Sequence, residues 1–432
     1  MSTTRFLTGI TPSGAPHLGN YAGMMRPAIE ATRTPAVENF YFLADYHALI
    51  KCQDPARVHR STLEIAASWL AAGLDPERVT FYRQSDIPEI PELHWLLSCV
   101  TGKGLLNRAH AYKAAQDKNQ EAGREQDEGV SAGLFMYPVL MGADILLFNA
   151  HKVPVGRDQI QHIEMARDMA ASFNHLYGEH FVLPEAAVDD QVATLPGLDG
   201  RKMSKSYDNT IALFTPREQL RKLIGGILTD SRKPGEPKET EGSALFQIYQ
   251  AFASEDETAA LRRAYADGIA WGDAKQMLFD RIDREIAPLR ERYDDLLAHP
   301  EHVEHILQAG ALRARKIATP FMQELRAAVG LRSLAQSAGS GKPAAKATKA
   351  ALPSFKQYRE ADGKFYFKLV AADGHLLLQS KGFDVPKDAG QAIARLQQQG
   401  LDACLDLLEP LAQEARAAAA AALQALQALA TA

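Results

Sequence analysis

Cysteine is scarce in this sequence of 432 residues. The three cysteines, Cys52, Cys99 and Cys404, are far apart and include no CxxC pair. This pattern argues against a disulfide framework and a cysteine-bound zinc or iron–sulfur site, and it is typical of a reducing compartment. Apolar runs long enough to cross a bilayer are also lacking, and Met1–Arg5 does not resemble the start of a secretory leader. The sequence therefore predicts a cytoplasmic protein without a membrane partner.

An excess of basic residues is lacking as well. The 48 lysines and arginines are outnumbered by 53 acidic residues, which gives a formal net charge of -5. A surface of this charge does not indicate DNA binding, and any contact with RNA must depend on local basic patches. Hydrophobic residues make up 46% and charged residues 23% of the chain, as in ordinary globular proteins. A chain of this length is expected to divide into about two to four domains.

The first half of the chain alternates short apolar runs with amphipathic stretches, which is the pattern of a parallel α/β sheet. Strands are predicted at Phe6–Ile10, Asn39–Leu43, Val79–Arg83 and Val153–Val155, and helices at Leu18–Arg33, Pro55–Ala72 and Asp158–Phe173. These elements predict a Rossmann-like parallel-sheet domain over residues 1–214.

The second half predicts different kinds of structure. Helical periodicity throughout residues 215–332 predicts an all-helical domain. Residues 333–352 are rich in alanine, glycine, serine and lysine, and they predict a flexible linker. Alternating apolar residues, two Asp-Gly turns at Asp362-Gly363 and Asp373-Gly374, the segment His375–Ser380 and one helix predict a small β-rich α+β module of ββα type at residues 353–400. Residues 401–432 predict an Ala/Leu-rich helical tail.

The segment between the first predicted strand and the first predicted helix carries a chemical motif, His17-Leu18-Gly19-Asn20. Unpaired N–H groups and the helix dipole favour anions at such a place. Gly14 and Gly19 let a nucleotide approach the backbone, and His17 and Asn20 offer hydrogen-bond donors to phosphate oxygens. Taken alone, the motif is better explained as a strand-to-helix turn with a capping residue.

A second motif, Lys202-Met203-Ser204-Lys205-Ser206, follows a glycine-rich turn at Gly197–Gly200. Two lysines and two hydroxyls can surround a pyrophosphate leaving group and stabilise its growing charge. A short charged run is more often a solvated loop. The five-residue pattern is specific, however, and its pairing with the first motif, 185 positions after His17, argues against coincidence.

Together the two motifs resemble the signature pair of class I aminoacyl-tRNA synthetases. The sequence between them resembles the tryptophanyl branch of that family, and the resemblance covers roughly residues 5–330. The segments that carry it are Phe6–Gly23, Phe42–Ala48, Gly129–Leu134, Tyr137-Pro138, Met141–Leu147 and Val153–Glu164. The resemblance implies activation of L-tryptophan by ATP with Mg²⁺, transfer to tRNA(Trp), an anticodon-binding helical domain and a homodimer.

The family's indole-recognising aspartate falls on Asp144. An indole N–H can only donate, so a buried acceptor selects for it, and a ligand without that donor loses about 1–3 kcal/mol or more. Without the resemblance, an aspartate that caps or ion-pairs a helix is the simpler interpretation. The resemblance further implies that Tyr137 and Gln159 hold the ammonium and carboxylate of the amino acid. It implies that His47, Met141 and Phe6 line the pocket.

The family's ATP contacts fall on four segments. The residues implied are Thr11, Pro12, Ser13, Gly19, Asn20, Gly156, Arg157, Asp158, Val192, Leu195, Lys202, Met203, Ser204, Lys205 and Ser206. Among them, Asp158 is expected to hold the ribose and the backbone near Val192–Leu195 the adenine. The catalytic roles are implied for His17, Asn20, Lys202 and Lys205, and no protein-made metal site is assigned.

Three features depart from the family pattern or lie outside it. Thr11 stands where many relatives have glutamine, and Arg157 where many have glutamate, so one pocket contact and the charge near the ribose differ. The polar segment Lys113–Glu128 predicts a mobile, partly disordered loop. Arg108 and Lys113 are candidates for contact with triphosphate or tRNA, although a solvated helix face explains them equally well.

The C-terminal module resembles a small bacterial domain family of unknown function, the YegP-like type. Its lysines and aromatic residues interleave, which suggests RNA binding, because cations contact phosphates and aromatic rings stack on bases. Alternating aromatic residues are more often the inward face of a sheet, and we favour that interpretation. The residues concerned are Lys342, Lys346, Lys349, Lys356, Lys364 and Lys368, with Phe355, Tyr358, Phe365, Tyr366 and Phe367.

Other activities remain to be separated from the tryptophanyl one. A tyrosyl-tRNA synthetase shares the fold and both motifs. A non-catalytic RNA-binding paralogue is expected to have a broken signature loop, whereas Lys202–Ser206 is intact. A nucleotidyltransferase that does not use tRNA is disfavoured by the helical domain.

Overall fold

The computed structural model describes residues 4–12, 14–34, 37–188, 194–332, 334, 353–360, 362–371, 375–411 and 413–430. The chain divides into two compact units with the boundary after Arg332. None of the described helices is long and apolar enough to cross a membrane. The predicted linker, residues 333–352, lies outside the described residues except for Leu334.

The first unit is built on a five-stranded parallel sheet, as the alternating sequence pattern predicts. Its strands are β1 (Thr4–Ile10), β2 (Val37–Leu43), β3 (Val79–Arg83), β4 (Lys152–Pro154) and β5 (Glu185–Ala187). They lie in the order β3-β2-β1-β4-β5. Because side chains alternate along a strand, the sheet has an apolar core on each face. One contains Leu7, Phe42 and Tyr82, and the other contains Ile10 and Leu43.

Helices connect these strands. They are α1 (Leu18–Asn20), a π-helical turn (Tyr21–Met25), α2 (Arg26–Ala31), α3 (Asp45–Ala48), α4 (Pro55–Ala71), α5 (Glu89–Val100), α6 (Lys103–Leu106), α7 (His110–Glu121), α8 (Ala132–Leu146) and α9 (Ile160–Tyr177). Short 3-10 turns precede α5 and α9, and a third one, Lys205–Tyr207, lies in the second motif.

The prediction of a mobile, partly disordered loop at Lys113–Glu128 is wrong, because most of that segment belongs to helix α7. Two side chains anchor the helix and the turn after it. The Tyr112 hydroxyl donates to Asp127 at 2.7 Å, and the amide of buried Asn119 donates to the carbonyl oxygen of Glu128 at 2.8 Å. The polar residues that suggested disorder occupy the solvent face of an amphipathic helix.

The rest of the first unit is helical, as predicted. It consists of α10 (Arg217–Gly225), α11 (Ala244–Phe252), α12 (Glu255–Ala266), α13 (Trp271–Ala298) and α14 (Pro300–Ala328). Helix α14 covers the edge strand β3. A Cβ on Gly310 would lie 1.6 Å from the carbonyl oxygen of Phe81, so only glycine permits this approach. The guanidinium of Arg83 binds Glu304 of α14 at 2.7 Å.

The second unit contains three antiparallel strands, one more than a ββα module has. They are β6 (Ser354–Arg359), β7 (Phe365–Val370) and β8 (Leu376–Gln379), and they pair in that order. Helices α15 (Pro386–Gln399) and α16 (Gln413–Ala430) follow, with a 3-10 turn between them. Phe355, Phe365 and Phe367 belong to the apolar core under the sheet, so the inward-facing interpretation is confirmed for the phenylalanines.

Candidate active site

The carboxyl edge of the first sheet opens between β1 and β4. These strands are neighbours, but the chain continues from β1 to one side and from β4 to the other. Such a switch point forms a crevice in which ligands bind. Exposed Thr11 and buried Pro12 follow β1, while exposed Gly156 and Arg157 lie beyond β4. Ser13, Val192 and the side chain of Asp158 lie outside the described residues.

His17 and Asn20 form a reciprocal capping box at the start of α1. The backbone N–H of Asn20 donates to His17 Nδ1 at 3.2 Å, and the backbone N–H of His17 donates to Asn20 Oδ1 at 3.1 Å. Burial, followed by the charge of Lys205, lowers the pKa of His17 from 6.5 to about 4. Since Nδ1 accepts a hydrogen bond, the neutral ring carries its proton on Nε2. The cap thus leaves Nε2–H of His17 and the amide N–H groups of Asn20 as donors.

The two motifs are brought together by backbone pairing. The N–H of Leu18 donates to the carbonyl oxygen of Ile211 at 2.9 Å, and the N–H of Leu213 donates to that of Pro16 at 2.9 Å. Gly14 has a φ of +87°, and a Cβ there would lie 3.6 Å from Lys205 Nζ. The structure therefore places the second lysine of the second motif against the loop that carries the first motif. Lys205 is exposed, but nearby protein atoms partly desolvate its ammonium group, and this lowers the pKa of Lys205.

Asn209 holds the loop of the second motif in shape, and sequence reasoning missed it. Its Oδ1 accepts from the N–H of Ser204 at 2.9 Å, and its Nδ2 donates to Asp199 at 2.7 Å and to the carbonyl oxygen of Lys202 at 3.1 Å. A Cβ on Gly197 would lie 2.4 Å from the Asn209 amide, so glycine is required there. A lone asparagine after the motif gives no sequence signal for this role.

The same loop combines a buried anchor with exposed polar groups. Met203 is 3% exposed and packs in the core, and its N–H donates to the carbonyl oxygen of Leu195 at 2.8 Å. The hydroxyls of Ser204 and Ser206 are 2.7 Å apart. Lys202 and Lys205 are exposed. The buried methionine fixes the loop while its lysines and hydroxyls face solvent, as a phosphate-binding loop requires.

Asp144 lies fully buried in α8 with hydrogen-bond donors on both carboxylate oxygens. Gln84 Nε2 lies 2.8 Å from Oδ1 and 3.0 Å from Oδ2, and His47 Nε2 lies 2.9 Å from Oδ2. Burial raises the pKa of Asp144, and the hydrogen bonds from His47 and Gln84 oppose that rise. Gln84 was not predicted. Its position just after a parallel strand was the available signal, since such strand ends line α/β sites.

The orientation of Gln84 is fixed by the backbone. Its Oε1 accepts from the N–H of Tyr46 at 3.1 Å, so the donor end of the amide is turned toward Asp144. Gln84 is itself completely buried. A buried polar side chain with every group paired is a rigid support, and it fixes the carboxylate that it contacts.

Tyr137, Met141 and Asp144 lie at positions i, i+4 and i+7 of α8 and therefore share one face. The ring of His47 meets Tyr137 edge-on with 6.2 Å between centroids, and the Tyr137 hydroxyl forms a short hydrogen bond with His162 Nε2. Met141 is partly buried on the adjoining core, and half-buried Gln159 immediately precedes α9. The structure thus groups Asp144, Tyr137, Met141 and His47.

Phe6 is not brought to this group. Ile10, on the same side of β1, lies in the core of the opposite sheet face, whereas Leu7 lies in the core with Tyr82 and Ala143. Because side chains alternate, Phe6 faces away from Asp144. The expectation that Phe6 closes the pocket is therefore wrong by one residue, and Leu7 is the β1 side chain on the correct face. Arg108 and Lys113, which are exposed, lie around the start of α7.

Comparison with known proteins connects this geometry to a chemistry. Residues 1–286 match the family model described as tRNA synthetases class I (W and Y), and residues 360–406 match a domain of unknown function, DUF1508. A tryptophan–tRNA ligase of Xanthomonas campestris is 69% identical over 91% of this chain and 91% of its own. One from Pseudomonas aeruginosa is 63% identical over 91% of this chain and 88% of its own.

A solved structure extends the likeness to the fold. The crystal structure of tryptophanyl-tRNA synthetase from Campylobacter jejuni in complex with ADP and tryptophan has a TM-score of 0.70 and 43% sequence identity. The match covers 76% of this chain and 100% of that one. That enzyme therefore corresponds in extent to the first unit, which carries both motifs and the Asp144 group.

Proposed function

This chain belongs to the tryptophan–tRNA ligases among the class I tRNA synthetases, and we propose that its two motifs and the Asp144 group form one active site. The enzyme is an ATP-dependent aminoacyl-tRNA ligase. It activates L-tryptophan with ATP, which gives tryptophanyl-adenylate and pyrophosphate, and it transfers the tryptophan to tRNA(Trp).

The observation that carries the residue assignment is the fully buried, firmly held carboxylate of Asp144. We assign it the indole N–H as its ligand. An ionised carboxylate has about four lone-pair sites, so it can accept the indole N–H beside the hydrogen bonds from Gln84 and His47. An amino acid without a donor at that position leaves the carboxylate under-satisfied and loses about 1–3 kcal/mol. Tyrosine does not place an N–H there.

The remaining amino-acid contacts follow from the same helix face. Met141, and His47 beyond its hydrogen bond, offer apolar and aromatic surface for the indole ring. Tyr137 lies one turn before Met141. We assign its hydroxyl oxygen, which is hydrogen-bonded to His162, as an acceptor for the ammonium group. Gln159 stands before α9 and beside the crevice, and we assign it the carboxylate. In this proposal the reacting carboxylate points toward the phosphate-binding motifs.

Adenylate formation needs positioning and charge stabilisation, with no protein nucleophile. The tryptophan carboxylate attacks the α-phosphorus of ATP, and the bond to the bridging oxygen breaks as pyrophosphate leaves. Neutral His17 donates through Nε2–H and Asn20 through its amide, while Lys202 and Lys205 stabilise the charge on the departing phosphates. Ser204 and Ser206 add hydroxyl donors, and Gly19 leaves room for the nucleotide.

The nucleotide itself is expected along the β1–β4 crevice. Thr11 and Pro12 lie on one side of the crevice, and Gly156, Arg157 and Asp158 follow the strand on the other side. We assign Ser13 to the nucleotide as well, and the backbone at Leu195 and Val192 to the adenine. ATP is taken as its magnesium complex, because Mg²⁺ is usually bound by substrate phosphates and water with few protein ligands. Ser204 and Ser206 supply oxygen atoms of the kind that this ion accepts.

Several wider assignments belong to the same proposal. The helical region from residue 215 to 332 reads the anticodon, and the cytoplasm is the site of action. The ligase is a homodimer. Trp95, which is 67% exposed on α5, supports a partner surface there, since exposed aromatic side chains are enriched at interfaces.

ATP–pyrophosphate exchange tests the proposal directly. We expect exchange stimulated by tryptophan and charging of tRNA(Trp). Asp144→Asn should raise the KM for tryptophan far more than that for ATP, because an amide presents one acceptor oxygen where the carboxylate presents two. Exchange stimulated by tyrosine alone, or an unchanged tryptophan KM in Asp144→Asn, would overturn the assignment of the pocket.

A further inference from the structure

The outer face of the β6–β8 sheet carries a two-by-two array of side chains that no core contact explains. Lys356 pairs directly with Lys368 across the strands, and Tyr358 pairs directly with Tyr366. The two tyrosine rings are stacked with 5.7 Å between centroids and 22° between planes. The apolar core of this unit lies under the opposite face, and neither tyrosine belongs to it. We call these four residues the Lys–Tyr array.

The paired lysines are unfavourable in the isolated module. Like charges directly opposite one another across two strands destabilise a sheet. Within the part of the chain that the structure describes, neither Lys356 nor Lys368 forms an ion pair. The Lys368 ammonium instead lies 5.2 Å from the centre of the Tyr358 ring. An anion bound over the sheet reduces the repulsion between Lys356 and Lys368.

Charge is also divided unevenly between the hairpin and the helices of the module. The hairpin of residues 354–370 has four basic residues against two acidic ones, whereas residues 386–430 have three basic against five acidic. The acidic side chains of the hairpin, Glu360 and Asp362, lie at its turn, and Asp362 accepts a hydrogen bond from the Tyr366 hydroxyl at 2.6 Å. Of the four basic side chains, Arg359 lies over the ring of Phe365 on the core face and Lys364 pairs with Asp384, so Lys356 and Lys368 are the cations that the outer face offers to an anion.

We propose that the Lys–Tyr array binds unpaired nucleotides of the tRNA substrate. Cations beside stacked aromatic rings on an open sheet are the groups that hold single-stranded RNA, with phosphates on the cations and bases on the rings. A base that stacks on Tyr358 displaces the Lys368 ammonium, which then reaches a phosphate. The choice of tRNA rests on the proposed ligase function. A module tethered to the ligase encounters bound tRNA at high effective concentration.

The experiment uses the full chain and four double variants, one of which is a control. Lys356→Gln/Lys368→Gln removes the cations, and Tyr358→Leu/Tyr366→Leu removes the rings. Tyr358→Phe/Tyr366→Phe keeps the rings and loses only the hydroxyls. Lys387→Gln/Arg416→Gln makes the same change in net charge on the helices, and it serves as the matched control. Each protein is tested for folding by circular dichroism and for tRNA(Trp) affinity by fluorescence anisotropy over a series of salt concentrations.

We expect the leucine variant to raise the Kd for tRNA by about 5- to 140-fold per stacked base lost. The phenylalanine variant should keep the parent affinity. The lysine variant should reduce the slope of log K against log salt by about 1.4, since two phosphate contacts to a single strand contribute about 0.7 each. The helix control should leave both quantities as they are in the parent chain.

The outcomes that oppose this inference are separate from those that oppose the ligase function. Tryptophan-stimulated exchange requires no tRNA, so its absence in the parent chain speaks against the proposed active site alone. Normal exchange with unchanged tRNA affinity and salt slope in the lysine and leucine variants would overturn the Lys–Tyr array as an RNA site. An equal loss in the helix control would do the same, because it would show that only net charge matters.

Discussion

Replacing Gln84 by methionine tests how the tryptophan pocket keeps its selectivity. Methionine has nearly the volume of glutamine and no amide, so the variant removes the two Nε2 contacts to Asp144 without opening a large cavity. It also removes one of the two acceptors of the Tyr46 N–H, which keeps its hydrogen bond to Asp45 Oδ1 at 3.1 Å. The buried carboxylate then keeps His47 as its remaining partner among the described side chains.

The magnitude follows from the charge on Asp144. A hydrogen bond to a charged group contributes about 1.5–3 kcal/mol. If the same free energy is lost from transition-state binding because Asp144 is less well oriented, kcat/KM for tryptophan falls about 10- to 150-fold. The pKa of Asp144 is already raised by burial, and the Gln84 hydrogen bond opposes the rise. Its loss must therefore raise the pKa further. The protonated form has lost acceptor strength, so the acid limb of kcat/KM moves to higher pH.

Tryptophan-dependent ATP–pyrophosphate exchange measures both effects. The KM for tryptophan and the pH profile should change, while the KM for ATP should stay close to that of the parent enzyme. Gln161→Met is a matched control, since Gln161 contacts the carbonyl of Arg108 and the N–H of His110 and does not contact Asp144. A folded Gln84→Met enzyme with an unchanged tryptophan KM and acid limb would refute the positioning role of Gln84.

Three further predictions concern the phosphate motifs and the fold. The imidazole of His17 should titrate near pH 4 by NMR, because its pKa falls from 6.5 to about 4 on folding. The contribution of His17 to stability is therefore present above pH 6.5 and is lost as the pH falls from there toward 4. A midpoint near 6.5 would contradict the buried, neutral ring. Gly197→Ala should reduce kcat for exchange by about 100-fold through displacement of Asn209 and the loop that it holds, with little change in tryptophan KM, and normal kcat would refute this. Gly310→Ala should lower the free energy of unfolding in urea by more than about 3 kcal/mol, because the new Cβ collides with Phe81. Gly272→Ala is the control, since its Cβ meets nothing within 4 Å, and it should be neutral or slightly stabilising. Equal effects of the two substitutions would show that α14 moves freely.

The sequence predicted the parts of the fold that local patterns determine. Strand β3 was predicted at the residues it occupies, because a short apolar run between polar flanks has one plausible structure. Helix α7 was missed because its low hydrophobic content removes the periodic signal, and two tertiary anchors, Tyr112 and Asn119, supply what periodicity does not. In the second unit, the segment after the second Asp-Gly turn contains the third strand, Leu376–Gln379, although the two-strand ββα assignment did not include it.

The site residues also divide into those that local sequence patterns indicate and those that only tertiary contacts reveal. The two motifs could be recognised from the sequence because each is a short run of neighbouring residues that resembles a family signature. The structure brings the two runs together, and the chemical roles of His17, Asn20 and the lysines stay a prediction. Gln84 lies 60 positions from Asp144, and Asn209 is an isolated asparagine, so neither has a neighbour in sequence that reveals its partner. Phe6 was chosen where Leu7 was required, because a shift of one residue in a strand exchanges the two faces of a sheet.

In the proposed site, substrate choice therefore depends in part on Gln84, a residue that contacts no substrate. Asp144 can select a donor only while it is ionised and correctly turned, and its burial alone would favour protonation. Gln84 and His47 counter that tendency. Both lie at the carboxyl edge of the sheet, His47 shortly after the end of β2 and Gln84 directly after the end of β3. We therefore propose that the strand ends around α8 determine amino-acid specificity, while the β1 loop and the second motif provide the phosphate chemistry. The two can vary independently, which is consistent with one family model that spans both tryptophan and tyrosine enzymes.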